Sequence, residues 1–205
     1  MEKQARRGAV ARATIRRRAA ATEPKSAALV RAAYAKLAER GFEGLRTRDV
    51  AGEVGVNIAT LHYYFPTKEA LIRGIVGHAM GRFRSTLSGR GSAATQLRRH
   101  FRGLRRLAHE EPELFAVMGE LALRARRDPA MATILRETDD LWHATLRGLL
   151  RRARKEGEIP DGHGEDDLAG LMVAALKGTY LLPAASQDSR RVEQTLRQLE
   201  RAIGL

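Results

Sequence analysis

The chain has 205 residues and no cysteine, which excludes disulfide bonds, thiolate catalysis and zinc sites with cysteine ligands. Its formal net charge of +13 favours a polyanionic partner, either nucleic acid or an anionic lipid surface. Hydrophobic residues make up 43% of the chain, aromatic residues are few, and strand-like alternation is almost absent. This composition predicts an all-α protein with ample chain for a core.

The first 25 residues, MEKQARRGAVARATIRRRAAATEPK, are strongly basic, with eight Lys or Arg and two Glu. They contain no apolar run long enough for a signal peptide. One interpretation is a solvated tail, and another is an organellar transit peptide. The functional interpretation is an arm that follows phosphates or enters a minor groove. We predict a disordered basic arm over residues 1–25.

A supporting helix follows this arm. Pro24 and Ser26 mark its start, and Gly41 marks its end. Its apolar residues fall on one face, at Leu29, Ala33, Leu37 and Ala38. We interpret this helix as scaffold for the stretch that comes next.

Residues 47–69, TRDVAGEVGVNIATLHYYFPTKE, predict two short helices joined by a tight turn and the beginning of a third. The first helix has Thr47 as its predicted N-cap and buries Val50 and Ala51. It stops at Gly55, because a sharp corner between helices needs a residue with positive φ.

The second short helix is predicted to be capped by Asn57 and to return Leu61 and Phe65 to the core. Its remaining side chains point away from the core, and they are Asn57, Ile58, Ala59, Thr60, His62, Tyr63 and Tyr64. Exposed small, polar and aromatic residues near a helix N-terminus suit a DNA groove. The sequence therefore predicts a helix-turn-helix element that binds DNA.

Pro66 and Thr67 interrupt the chain, and a new helix is predicted from Lys68 to about Ser88. A cation in the first turn of a helix is unfavourable against the helix dipole. A nearby phosphate explains the position of Lys68 better than helix stability does, although an exposed lysine without consequence is the alternative.

The run VNIATLHYYFPTKEALI resembles the recognition helix and following helix of the TetR family of bacterial transcriptional regulators, whose hallmark is TLYxYFxxKxxL. The resemblance covers roughly Ser26 to Val76. This chain departs from the family pattern at His62, where Tyr is usual, at Asn57, where Ser is common, and at Ile58 and Ala59, where Lys-Gly is frequent. These departures leave the fold intact but prevent prediction of the operator sequence.

The resemblance implies a three-helix DNA-binding domain at residues 26–72 and a helical effector-binding and dimerisation domain at residues 73–205. In this arrangement, the residues assigned mainly to phosphates are Thr47, Tyr63, Tyr64 and Lys68. Those assigned closest to the bases are Asn57, Ile58, Ala59, Thr60 and His62. Recognition helices about 34 to 36 Å apart in a dimer would meet successive major grooves.

Five further helices are predicted beyond the loop SGRGSAAT at residues 88–95. They cover approximately residues 97–109, 114–122, 129–157, 168–182 and 192–203. The helix at 168–182 has little polar surface and needs cover on both flanks. The family dimerises through its last two long helices, which implies a homodimer through the last two helices of this chain.

The resemblance also implies a small-molecule effector, and the apolar stripes favour one that is largely apolar. The candidate lining residues, each of which has a simple core position as its alternative, are Phe83, Phe101, Phe115, Met118, Trp142, Met172 and Tyr180. The identity of the effector does not follow from these residues.

We expect a cytoplasmic repressor that a small ligand releases from a double-stranded DNA operator, although activation stays open. The alternative is a DNA-binding protein without a small-molecule effector, controlled by a protein partner or acting as an architectural factor. An enzyme is disfavoured, because the six histidines lack HExxH spacing and the chain lacks GxSxG, P-loop and GxGxxG motifs. We predict no cofactor, no metal site and no membrane partner.

Overall fold

The computed structural model describes residues 24–87, 89–181 and 189–205. Within these ranges the chain forms nine α-helices and no β-strand, which confirms the all-α prediction. The helices are α1 Lys25–Arg40, α2 Thr47–Val54, α3 Ile58–Tyr64, α4 Lys68–Ser85, α5 Ala93–Glu110, α6 Pro112–Ala125, α7 Pro129–Lys155, α8 Glu165–Tyr180 and α9 Ser189–Ala202. The predicted basic arm lies outside the described residues except for Pro24 and Lys25.

Two helix boundaries near the predicted loop differ from the prediction. The helix α4 ends at Ser85, somewhat earlier than predicted, and α5 begins at Ala93, inside the predicted 88–95 loop. The hydroxyl of Ser92 accepts a hydrogen bond of 3.3 Å from the Thr95 backbone N–H. This local side-chain cap starts the helix before the first large apolar residue of its stripe.

The first four helices form a small bundle around α1, which packs against α2, α3 and α4. The side chains at its centre are fully buried, and they are Leu29, Leu37, Val50, Leu61 and Leu71. Gly41 ends α1 with φ of 66°, as predicted for a helix terminus. This bundle holds the two short helices α2 and α3 on its surface.

The remaining helices pack around α7, which contacts α4, α5, α6 and α8. The last helix, α9, packs against α5 and α8. Its predicted apolar stripe is buried throughout, at Val192, Leu196, Leu199 and Ile203. None of the described helices is both long and apolar enough to cross a lipid bilayer.

The two groups of helices share one continuous apolar core. The helix α4 joins them, because it packs against α1 on one side and against α6 and α7 on the other. The backbone N–H of Phe42, just after α1, also donates to Glu120 Oε2 on α6 at 3.3 Å. A displacement of α4 or α6 therefore acts directly on the N-terminal bundle.

Candidate nucleic-acid interface and effector cleft

The start of α2 corrects one prediction. Arg46 occupies the N-cap position with an extended backbone, and Thr47 is the first helical residue instead of the cap. The backbone N–H groups of Asp49 and Val50 both donate to the Arg46 carbonyl at 3.1 Å. The helix has no side-chain cap, because no side chain at this end accepts a hydrogen bond from its first N–H groups. Thr47 is half-buried in the first turn of the helix.

The turn between α2 and α3 is centred on Gly55, which adopts φ of 73° and ψ of 30°. The Val56 backbone N–H donates to the Ala51 carbonyl at 3.0 Å, and the Gly55 N–H donates to Gly52 at 3.1 Å. A Cβ at Gly55 would meet no atom within 4 Å, so the backbone angle and not space favours glycine. The predicted positive φ is confirmed.

The cap of α3 is also confirmed. Asn57 Oδ1 accepts hydrogen bonds from the Thr60 backbone N–H at 2.7 Å and from the Thr60 hydroxyl at 2.9 Å. Leu61 is fully buried, whereas Phe65, predicted to reach the core, is only half-buried. A cap at one end and one buried leucine therefore fix this seven-residue helix on the bundle.

The outer face of α3 exposes large side chains. Ile58 is 39% exposed, Tyr63 is 80% exposed, and Tyr64 packs edge to face on Tyr63 with ring centroids 5.2 Å apart. Ala59 and His62 are exposed with them, and Thr60 is half-buried because its hydroxyl contacts the cap. The predicted α3 residues are thus exposed or half-buried, in contrast to Leu61, and we call residues 57–60 and 62–64 the recognition face.

Lys68 has a contact within the chain that the sequence did not reveal. It is the first residue of α4, and Thr67 caps that helix by accepting a 3.1 Å hydrogen bond from the Ala70 N–H. The Lys68 Nζ lies 4.3 Å from the centroid of the Phe42 ring, and the Arg124 guanidinium lies 4.7 Å from the same centroid. Cation–π attraction therefore contributes to the position of Lys68.

Two basic residues that the motif analysis did not single out flank Thr47. Arg46 and Arg48 are exposed, and neither has an acidic partner among the described residues. Their signal in the sequence is the triplet Arg46-Thr47-Arg48 at the start of the helix-turn-helix. They add two positive charges at the start of α2.

A cleft of about 470 Å³ lies between α4 and α7. Of the predicted ligand-binding residues, Trp142 lines it. Its complete lining is Gly77, Met80, Arg84, Leu87, Glu137, Thr138, Leu141, Trp142 and Thr145. The volume falls in the range of small-molecule sites, and most of the surface is apolar. We call this space the effector cleft.

Two other predicted residues, Met118 and Tyr180, line a second cavity of about 590 Å³ between α6, α7 and α8. Lys177 forms an ion pair with Asp139 in its wall. Burial, and to a smaller extent the Asp139 carboxylate, raise the pKa of the Tyr180 hydroxyl. This hydroxyl therefore stays protonated at neutral pH.

The other predicted ligand-binding residues are buried side chains that line neither of these two cavities, and they are Phe83, Phe101, Phe115 and Met172. Phe83 stacks on Trp142 with ring centroids 5.8 Å apart and meets Phe115 edge to face at 5.9 Å. These aromatic side chains thus form a packed layer behind Trp142, and they connect that ring to α4 and α6.

A buried histidine adjoins this layer. His100 is fully buried, its Nδ1 lies 2.5 Å from the Thr86 hydroxyl, and its ring packs edge to face on Trp142. Burial lowers the pKa of His100 to about 3, so the imidazole is neutral at pH 7. The Thr86 hydroxyl also lies 2.6 Å from the Phe83 carbonyl, which favours a proton on His100 Nδ1. No sequence pattern distinguished this histidine from an exposed one.

Comparison with known proteins agrees with this architecture. A sequence model of bacterial regulatory proteins of the tetR family matches residues 29–75. A second model, of the C-terminal part of BetI-type transcriptional repressors, matches residues 93–204, more than half of the chain. The two matches fall on the N-terminal bundle and on the helices around α7.

Individual relatives lead to the same assignment. The nucleoid occlusion factor SlmA of Haemophilus influenzae is 30% identical over 70% of this chain and 67% of its own. The HTH-type transcriptional regulator UidR of Escherichia coli is 25% identical over 68% of this chain and 71% of its own. A crystal structure of a TetR transcription regulator from Haloarcula marismortui has the same fold, with TM-score 0.76, 19% identity and coverage of 87% and 95% of the two chains. The chain is therefore a DNA-binding transcriptional regulator of the TetR family.

Proposed function

We propose that this protein is a homodimeric repressor that a small, largely apolar ligand releases from its operator. In this proposal, the recognition face enters the major groove. The residues closest to the bases are Asn57, Ile58, Ala59, Thr60 and His62. Those closest to phosphates are Thr47, Tyr63, Tyr64 and Lys68, to which we add Arg46 and Arg48.

The observation that carries the proposal is the position of α4. Lys68 begins this helix beside the recognition face, and Gly77, Met80 and Arg84 line the effector cleft further along it. Sixteen residues separate Lys68 from Arg84, which corresponds to about 24 Å of helix. A ligand that widens the cleft would therefore displace α4, and α4 packs against α1, the helix against which α2 and α3 pack.

Ligand control has a thermodynamic limit. A ligand lowers DNA affinity only by the ratio of its affinities for the DNA-free and DNA-bound conformers. We propose that the effector-binding part spans residues 73–205 and the DNA-binding part residues 26–72. The helix α4 crosses this division and couples the two parts.

An uncovered strip on α8 supports the homodimer. Leu171 is 48% exposed, and Ala174 and Gly178, one and two turns along the helix, are also exposed. A shallow groove of about 440 Å³ runs beside it between α8 and α9, lined by small or uncharged residues including Ala175 and Ala202. Small residues allow a partner helix to approach closely, so we propose that α8 and α9 form the dimer interface.

The similarity to SlmA favours a second candidate function. SlmA is a nucleoid occlusion factor, and it is 30% identical to this chain over most of its length. We therefore keep the alternative of a DNA-binding protein that has no small-molecule effector and is controlled by a protein partner or acts architecturally. Under this alternative, the effector cleft does not bind a regulatory small molecule.

Fluorescence anisotropy separates a repressor of its own locus from an architectural factor. The duplexes are tiled across the DNA that flanks the protein's own coding region and are titrated at two salt concentrations beside a scrambled control. A repressor of its own locus binds one tile orders of magnitude more tightly than the control, with two subunits per symmetric site. An architectural factor binds all tiles alike and loses affinity steeply with salt.

A further inference from the structure

The effector cleft contains one cation without a partner. Arg84 lines the cleft from α4, its side chain is exposed, and no acidic side chain in the described ranges pairs with it. The acidic residue of the cleft, Glu137, forms an ion pair of 2.6 Å with Arg73. Arg82, two residues before Arg84, is likewise paired with Glu111. The cleft therefore has one uncompensated positive charge, at Arg84.

The rest of the cleft consists of apolar surface and of hydroxyl groups that already donate their hydrogens within the protein. Met80 and Trp142 are almost completely buried, while Leu141 is 59% exposed. The hydroxyls of Thr138 and Thr145 donate to carbonyls of their own helix at 3.0 and 2.9 Å. Because these protons are engaged, the donors that remain in the described lining are the uncharged indole N–H of Trp142 and the guanidinium of Arg84. Of these two, Arg84 carries the positive charge that pairs with an acidic group of a ligand.

A glycine leaves space beside Arg84. Gly77 lies in the interior of α4 and lines the cleft, where an added Cβ would meet no atom within 4 Å. Glycine in a helix interior is unfavourable relative to alanine, and no neighbour in the described part of the chain requires it here. The missing side chain instead adds volume to the cleft.

We infer that the effector is an amphipathic carboxylate, with an apolar body on Met80 and Trp142 and its anionic group on Arg84, an assignment that rests on the proposed function. The planar guanidinium matches a carboxylate with two parallel hydrogen bonds. A cationic ligand would be repelled by Arg84, and Glu137, the acidic residue of the cleft, is already paired with Arg73. An uncharged ligand would gain the apolar contacts but not the charged pair.

The test uses one apolar tail with three head groups, namely decanoate, decanol and decyltrimethylammonium. The two ionic probes are kept below their micelle-forming concentrations, and decanol is kept below its solubility limit. Trp142 is the only tryptophan of the chain and lines the cleft, so its fluorescence reports occupancy. We expect decanoate to bind about tenfold more tightly than decanol, the range of a hydrogen bond to a charged group. Arg84→Gln should remove this preference, and the control Arg151→Gln, an exposed arginine elsewhere on α7, should keep it.

The outcomes separate this inference from the proposed function. Three outcomes would overturn the inference that the effector is a carboxylate, while the effector cleft itself would remain supported. They are equal binding of decanoate and decanol, tighter binding of the ammonium probe, and an unchanged preference for decanoate in Arg84→Gln. Gly77→Leu fills the cleft and should abolish binding of decanoate and decanol alike. If no probe changes the fluorescence of Trp142, or if Gly77→Leu binds them as well as the wild type does, both the carboxylate and the effector cleft are wrong.

Discussion

The recognition face and the helices around α7 use apolar residues in opposite ways. In α3, Leu61 is the single buried residue, and Ile58, Tyr63 and Tyr64 are exposed. In α5, nine of the eighteen residues are buried, including His100. Exposed large side chains on a short helix have no role in the core, so their pattern indicates function. Around α7, by contrast, an apolar residue is part of the core unless a cavity lies beside it.

The largest expected effect is loss of DNA binding in Ala59→Asp. The side chain is exposed on the recognition face, so the fold should persist, while a carboxylate brought into the groove adds repulsion of several kcal/mol from the negatively charged DNA. We expect affinity for the operator to fall by at least about a hundredfold in fluorescence anisotropy. Ala130→Asp, at an exposed position in the first turn of α7, is the control and should bind normally. Normal binding by Ala59→Asp would remove α3 from the interface.

Leu61→Ala tests whether one leucine holds α3. Leu61 is fully buried, so the substitution should lower the free energy of unfolding by about 2–5 kcal/mol and weaken DNA binding with it. Urea denaturation measures the stability. Leu141→Ala is the matched control, because Leu141 is 59% exposed and its loss should change stability by less than about 0.5 kcal/mol. Similar losses from both variants would contradict the contrast between these leucines.

The buried His100 should make stability depend on pH. Its pKa is lowered to about 3 in the folded protein, whereas an unfolded histidine titrates near about 6.5. As the pH falls, the unfolded chain therefore binds a proton at His100 before the folded protein does. Below the unfolded pKa of about 6.5, the free energy of unfolding decreases by about 1.4 kcal/mol per pH unit. We expect a loss of about 2 kcal/mol between pH 7 and pH 5 in urea denaturation.

The control for this titration is His100→Asn. Its amide can still donate to the Thr86 hydroxyl, as Nδ1 does, but it cannot be protonated in this range. The variant should be less stable at pH 7 and should show a smaller change between pH 7 and pH 5. The same change in both proteins would assign the pH dependence to other groups.

The smallest effect is expected at Lys68. Lys68→Ala should weaken binding to every duplex alike, by about fivefold to tenfold, and reduce the salt slope by about one. Lys68→Met separates charge from packing, because its side chain still covers the Phe42 ring. If Lys68→Met binds DNA as the wild type does, Lys68 acts through Phe42 and not through a phosphate.

Much of the helix-turn-helix follows from local interactions. The Asn57 cap reaches Thr60, three residues away, and the turn at Gly55 depends on one backbone angle. Such features are visible in a short window of sequence. Thr47 is the exception, because the helix begins one residue earlier than the cap prediction, directly after an extended Arg46.

The ligand-binding residues were harder to predict. Helical spacing shows which face of a helix carries an apolar residue, but it does not show whether a cavity lies beside that face. Trp142 lines the effector cleft, whereas Phe83 and Phe115 pack behind it. The cleft residues that periodicity did not indicate include the small Gly77 and the charged Arg84. Their role depends on which helix lies opposite.

The sequence by itself determined the all-α class, the helix-turn-helix, the cap at Asn57 and the TetR family, because each of these depends on residues within a few positions of one another. Only the tertiary structure decided that Lys68 covers Phe42, that His100 is buried, and that Arg84 lies in a cleft between α4 and α7 without an acidic partner among the described residues. The reason is physical: burial, cation–π contacts and cavities arise between residues that are distant in the chain, and periodicity does not identify the partner helix.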